Sequence, residues 1–209
     1  MRGTVRPRER KLAAMDRRKQ LLSIAMNQIA ARGFEGLRFE EVAKLAGINN
    51  ATLCYHFPTK EALIQGVVGH LNAEVKRTRP RVDRERRSAL DELRQEFQDL
   101  RDLLRAHPKL FIVLTELSLR GLRDPVLGKM DRTRDGLWRD HLAGIIRRGI
   151  EQGVFRTSTE PASAVSGLMA QFKGIGYHSA LGKRTRREAD QMIAEIARQV
   201  EHWLTCVSK

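Results

Sequence analysis

Cysteine is scarce in this 209-residue chain: Cys54 and Cys206 stand far apart and form no CxxC pair. That spacing speaks against a disulfide scaffold and against a zinc finger. Long apolar runs are missing as well. No stretch approaches the roughly 20 residues needed to span a bilayer. No hydrophobic segment follows the N-terminal arginines, so neither membrane insertion nor secretion is expected and the chain is assigned to the cytoplasm. Strand-like alternation of polar and apolar residues is absent throughout. The histidines show no metal-ligand spacing, so no metal or cofactor is expected. A strand-borne GxSxG, a phosphate loop and HExxH are all lacking, which argues against an enzyme.

Positive charge is plentiful. Thirty-nine Lys and Arg against 25 Asp and Glu leave a net charge of +14, and the isoelectric point is near 10.6. Such an excess implies a polyanionic partner. Residues 1–80 hold 15 of the basic and 7 of the acidic residues, so eight of the fourteen surplus charges lie there. A hydrophobic content of 41% is enough for a real core.

Helical periodicity runs through almost the whole chain. Residues 1–14 are basic, poor in large apolar groups and broken by Pro7, and are expected to form a flexible arm. Leu21, Leu22, Ile24, Ala25, Ile29 and Ala30 then mark a helix that stops at Gly33. A short helix fits Phe39 to Ala46, with Glu40 and Glu41 where the dipole favours them. Asn49 is a natural N-cap for a third helix reaching Phe57. After Pro58 a fourth helix runs towards Arg79. Further apolar stripes cover Leu90–Leu104, Leu110–Leu122 and Leu127–Ile150, then Pro161–Leu181 and Met192–Leu204. The expected fold is all-α, with a head over residues 15–65 and a larger helical body over 66–209.

Two short helices joined by Gly47-Ile48-Asn49 describe a helix-turn-helix, whose second helix enters the DNA major groove. Asn50 and Thr52 then fall in the first turn of that helix, where Asn can pair with adenine and a Thr methyl can touch thymine. Tyr55 and His56 lie further along, placed for phosphates, and Lys60 meets a phosphate at the start of the next helix. Arg38 and Asn49 complete the expected DNA-binding set.

Gly33-Phe34, Val42-Ala43, Ala46-Gly47-Ile48, Thr52-Leu53, His56-Phe57 and Lys60 together resemble the TetR (tetracycline repressor) family of transcription regulators. The likeness covers roughly residues 15–65. Two positions depart from the family pattern. Cys54 stands where a phosphate-contacting tyrosine is usual, with Tyr55 as its substitute, and Arg38 replaces the threonine that usually caps the second helix.

The resemblance implies a body that binds a small-molecule effector and a homodimer built from the last two helices. Residues 161–181 mix small residues with Leu168, Phe172 and Ile175, and the last helix carries Ile196, Val200 and Trp203; these six are the expected interface. Phe97, Phe111, Leu114, Trp138, His141, Met169, Phe172 and Tyr177 offer apolar walls with polar tips, the composition of an effector pocket. The reading is thus a ligand-responsive regulator, a repressor that leaves double-stranded operator DNA when its effector binds. Its competitors are a charge-driven architectural DNA-binding protein without an effector and a helical enzyme.

Overall fold

The computed structural model describes residues 7–78, 87–182 and 185–205. Residues 1–6 of the expected arm, Pro80 and Cys206 lie outside the described residues. Within those bounds the chain forms nine α-helices and no strand: α1 (Pro7–Arg32), α2 (Phe39–Leu45), α3 (Asn50–His56), α4 (Lys60–Thr78), α5 (Ala89–Ala106), α6 (Pro108–Gly121), α7 (Pro125–Glu151), α8 (Pro161–Ala180) and α9 (Arg186–Leu204). No helix among the described residues is long and apolar enough to cross a membrane.

Two boundaries differ from the sequence expectation. α1 begins at Pro7, so residues 7–14, expected as flexible arm, are helical; proline suits a first turn whose N–H groups have no intrahelical partner. The head extends past residue 65: the chain divides into compact units at 1–74 and 75–209. The reason lies in α4, whose Leu63, Ile64, Val67, Val68 and Leu71 form one continuous buried stripe.

In the first unit, Leu21, Leu22, Ala25 and Ile29 of α1 are buried, as are Phe34, Leu37, Val42, Ala43, Leu53 and Phe57. The turn between α2 and α3 is set by Gly47, whose φ of 65° is open to glycine at no steric cost. Gly47 N–H donates to the Lys44 carbonyl at 3.1 Å and Ile48 N–H to Ala43 at 3.0 Å. These two bonds are the Schellman pattern, which satisfies carbonyls that the helix end leaves open.

The second unit wraps α5, α7, α8 and α9 around a core of Leu93, Phe97, Leu142, Ile146, Leu168, Phe172 and their neighbours. α7 ends with the same glycine pattern at Gly153. The chain then folds back so closely that a Cβ on Gly149 would sit 1.9 Å from Cδ2 of Phe155. Beyond it, Arg156 fastens the loop to the end of α9: its N–H donates to the Leu204 carbonyl at 2.8 Å, its Nε to Thr205 at 2.8 Å and its Nη2 to His202 at 3.2 Å. A guanidinium placed there also complements the negative end of the α9 dipole.

α8 opens with Pro161 in the first turn and Glu160 as its cap. The Glu160 carboxylate accepts from Ser163 N–H at 2.6 Å and from Ala162 N–H at 3.0 Å. These bonds hold its carboxyl below the usual carboxylate range.

Two outcomes follow from this packing. Gly149→Ala should destabilise the second unit by about 1–3 kcal/mol, because the new methyl overlaps a fully buried ring. Both tryptophans, Trp138 and Trp203, lie in this unit, so urea denaturation followed by tryptophan fluorescence reads it directly; an unchanged midpoint would show that Phe155 moves aside freely. The Glu160 cap should be fully formed above the ordinary carboxylate range and lost as pH falls through its depressed value. Replacing it with glutamine should flatten the acid side of the same denaturation midpoint measured against pH.

Candidate nucleic-acid interface and a polar site in the body

The head presents α3 with its polar first turn outward and its apolar residue inward. Leu53 is fully buried, whereas Asn50, Cys54 and Tyr55 are exposed, Tyr55 to 84%. Asn49 caps the helix: its Oδ1 accepts from Thr52 N–H and from Thr52 Oγ1, both at 2.8 Å. The Asn49 carbonyl oxygen and the Thr52 hydroxyl proton therefore serve the helix start. No acidic residue lies in the first turn, so the positive end of the helix dipole meets solvent undiminished.

The other residues expected at DNA stand at helix ends of the same unit. Arg38 is exposed at the N-cap of α2 and makes no side-chain cap bond, as expected from the missing threonine. Its backbone N–H is satisfied instead by Oε1 of the buried Gln28 at 3.0 Å. Lys60 begins α4, where the Thr59 hydroxyl accepts from Ala62 N–H at 3.0 Å. His56 is half-buried, its ring edge-on to Tyr55 with centroids 5.4 Å apart.

Two arginines that sequence reading left out position the motif. Arg17 Nη1 donates to the Ala46 carbonyl at 3.4 Å, beyond the end of α2. Arg18 Nη1 donates to the His56 carbonyl at 3.0 Å, and its guanidinium lies 4.3 Å above the Phe57 ring. Each places a cation at a helix C-terminus, where the dipole favours it, and the second adds a cation–π contact. Their only signal in the sequence was the basic pair after Asp16, which reads equally well as a solvated face.

In the body, the expected pocket residues separate into two groups. Phe97, Met169 and Phe172 are buried, and Phe111 and Trp138 pack against the same core. Phe97 and Phe172 stack with centroids 4.7 Å apart, and Trp138 meets Phe172 edge-on at 5.3 Å. His141 is half-buried beside them. Leu114 lies outside that core cluster, and Tyr177 is 50% exposed, so neither lines it. The residue that joins Trp138 to His141 had not been anticipated. It is Glu96, buried to 8% exposure, with Oε1 2.8 Å from His141 Nε2 and Oε2 3.5 Å from Trp138 Nε1. Its signal was present: Glu92, Glu96 and Asp99 share one helical face beside the Leu93, Phe97 and Leu100 stripe. No group of three or more His, Cys, Asp or Glu among the described residues is placed to hold a metal ion.

The expected dimer residues need correction. Leu168, Phe172, Ile175 and Val200 are at most 3% exposed, filled into the core of their own chain, and Ile196 packs against it. The first four leave almost no surface for a second copy, whereas Ile196 is half-buried. Of the six, Trp203 alone is exposed, to 47%, with its ring 4.0 Å from the position of a Cβ on Gly167. α8 is apolar or small on both faces, so periodicity alone does not decide which of them packs inward. Its outward stripe is Ser163, Ala170, Tyr177 and Leu181, with Gly167 and Gly174 half-exposed between them.

Comparisons with known proteins agree with this geometry. Residues 21–67 match the model of bacterial regulatory proteins of the tetR family, and residues 89–205 match the C-terminal model of BetI-type transcriptional repressors. The HTH-type transcriptional regulator RutR of Escherichia coli K12 is 40% identical over 60 residues, 29% of this chain and 28% of its own length. The nucleoid occlusion factor SlmA of Haemophilus influenzae is 25% identical over 114 residues, 54% of this chain and 52% of its own. The matched region thus spans between a quarter and about half of these curated relatives. Among solved structures, a transcriptional regulator from Saccharomonospora viridis in complex with choline superposes with a TM-score of 0.79 at 24% identity, covering 92% of this chain and 100% of the other. A TetR regulator from Chloroflexus aurantiacus gives 0.79 at 14% identity, covering 92% and 98%. Members of this family are transcriptional regulators rather than enzymes. With a helix-turn-helix in the head and a family match extending across the body, the chain belongs to the TetR family of transcriptional regulators.

Proposed function

We propose that this regulator is a cytoplasmic homodimeric repressor that binds a pseudo-palindromic operator and leaves it when a small-molecule effector enters the body. The observation that carries the DNA half is α3: a seven-residue helix, capped by Asn49, that exposes Asn50 and Tyr55 while burying Leu53. In this reading Asn50 and the Thr52 methyl face base edges. Arg38, Tyr55, His56 and Lys60 take phosphates, and Asn49 contributes mainly by fixing the first turn. The effector half is supported by the buried Glu96, whose oxygens meet His141 and Trp138, and by the choline complex of the Saccharomonospora regulator, a protein of the same fold.

The dimer is assigned to the outward stripe of α8 together with Trp203. Small residues there allow close helix approach, and Tyr177, Leu181 and Trp203 supply the large apolar area. One recognition helix reads only a few base pairs, so two linked heads are needed to single out a site.

Asn50→Ala should weaken operator binding by about 1–3 kcal/mol and leave random-sequence DNA nearly unaffected. Lys60→Ala should instead weaken all sequences alike and lower the salt slope by about one unit. Fluorescence anisotropy at several salt concentrations reads both. Equal losses for Asn50→Ala on operator and random DNA would reduce that residue to packing and favour an architectural role. Trp203→Asp should leave a folded body, since the ring is half-exposed, and convert the protein to a 23.8 kDa monomer. Analytical ultracentrifugation decides it, and a wild type already monomeric while bound tightly to operator would remove the two-headed mechanism.

A further inference from the structure

Arg38 leaves the head from a tightly held turn. Phe34 and Leu37, which bound that turn, are buried. Between them the chain returns so close to α1 that a Cβ on Gly36 would sit 2.3 Å from Cβ of Arg32. Gly36 N–H donates to the Gly33 carbonyl at 3.2 Å and Leu37 N–H to Phe34 at 3.3 Å. Arg38 follows as N-cap of α2 with extended backbone, φ −109° and ψ 115°. Its side chain has no hydrogen bond or ion pair among the described residues.

Helix starts are often closed by a capping box, in which the N-cap side chain and an acid at the third helical position each accept the other's backbone N–H. Neither half is formed in α2. A guanidinium has no acceptor to offer. Glu41, the acid at the third position, is turned instead to Arg32 Nη1 at 2.7 Å. The Arg38 N–H crosses to α1, where Gln28 Oε1 accepts it at 3.0 Å. Gln28 is only 6% exposed, and its Nε2 is buried without a hydrogen-bond partner. A buried amide with one idle end incurs a desolvation cost that methionine or leucine of similar size would avoid. What glutamine adds at this position is the oxygen, and that oxygen is bonded to the backbone of Arg38.

We infer that Gln28 is a positioning residue for DNA binding: it fixes the peptide from which the Arg38 side chain departs and so holds that guanidinium at a phosphate. The inference rests on the reading that Arg38 takes a phosphate, and it adds the buried residue through which that contact is set. Anchoring the helix start from α1 leaves position 38 open to an outward side chain, and a guanidinium there suits a phosphate as a forked donor. An arginine whose backbone is fixed has only its own rotamers to order on binding. One whose peptide also rotates gives up more of the contact to conformational entropy. Gln28 has no surface with which to meet DNA and acts only through the backbone it holds.

The test uses the full-length protein and a random-sequence duplex, because phosphate contacts do not depend on sequence. Fluorescence anisotropy at several salt concentrations gives the salt slope. Arg38→Gln should lower that slope by about one unit, the mark of one lost phosphate contact. Gln28→Met keeps the length and burial of the side chain and removes the acceptor. It should lower the slope by most of the same unit, although every surface cation is still present. The double variant should lose no more than Arg38→Gln alone. Circular dichroism verifies that each variant is folded, and Gln28→Leu serves where Gln28→Met is not. An unchanged slope in Gln28→Met (or in Gln28→Leu where that variant stands in), with the loss in Arg38→Gln intact, overturns the inference and leaves the phosphate contact standing. Losses that add in the double variant overturn it too, since Gln28 then acts through some other contact. An unchanged slope in Arg38→Gln removes the contact itself, and the inference with it.

Discussion

Seven residues of α-helix do not persist in water on their own, because nucleating a helix consumes more conformational freedom than so few hydrogen bonds return. Both α2 and α3 are that short. Their existence depends on burying Val42, Ala43, Leu53 and Phe57 against the head, and on end groups that replace the bonds a longer helix would make internally. Asn49, Gly47, Arg17 and Arg18 supply those end groups. The exposed first turn of α3 is therefore held in place from behind and from both ends.

The body meets a different constraint. Its long helices are stable through packing, and what distinguishes it is the polar material left inside. Glu92, Glu96 and Asp99 occupy positions where leucine would fill the space. Buried carboxylates of this kind contribute little net stability against well-packed apolar residues, since desolvation offsets most of the attraction to their partners. Stability alone does not account for such a row.

Local chemistry was legible in the sequence, and long-range choices were not. Gly33, Gly47, Asn49, Pro58 and Pro161 marked helix ends because each acts through its own backbone or a neighbour within four residues. The helix-turn-helix and its outward residues followed from those marks. The facing of α8 did not, since Leu168, Phe172 and Ile175 on one side and Tyr177 and Leu181 on the other satisfy the same apolar periodicity. Glu96 is hard to read for a related reason: an acid flanking an apolar stripe looks solvated until α7 is placed over it. The arm failed differently, because its charge suggested disorder while Pro7 was compatible with a helix start.

The supports of α3 differ in kind from its exposed face. Arg18 grips the carbonyl of His56, Asn49 holds the N–H of Thr52, and Leu53 anchors the helix from below. Two of these act on backbone atoms, which every residue type possesses. Positions 50, 51, 54 and 55 are all exposed, and none of them supplies a support. Substitution at those four sites therefore leaves these three supports in place. Cys54 is one of them: exposed on a helix whose fold does not depend on what occupies that position.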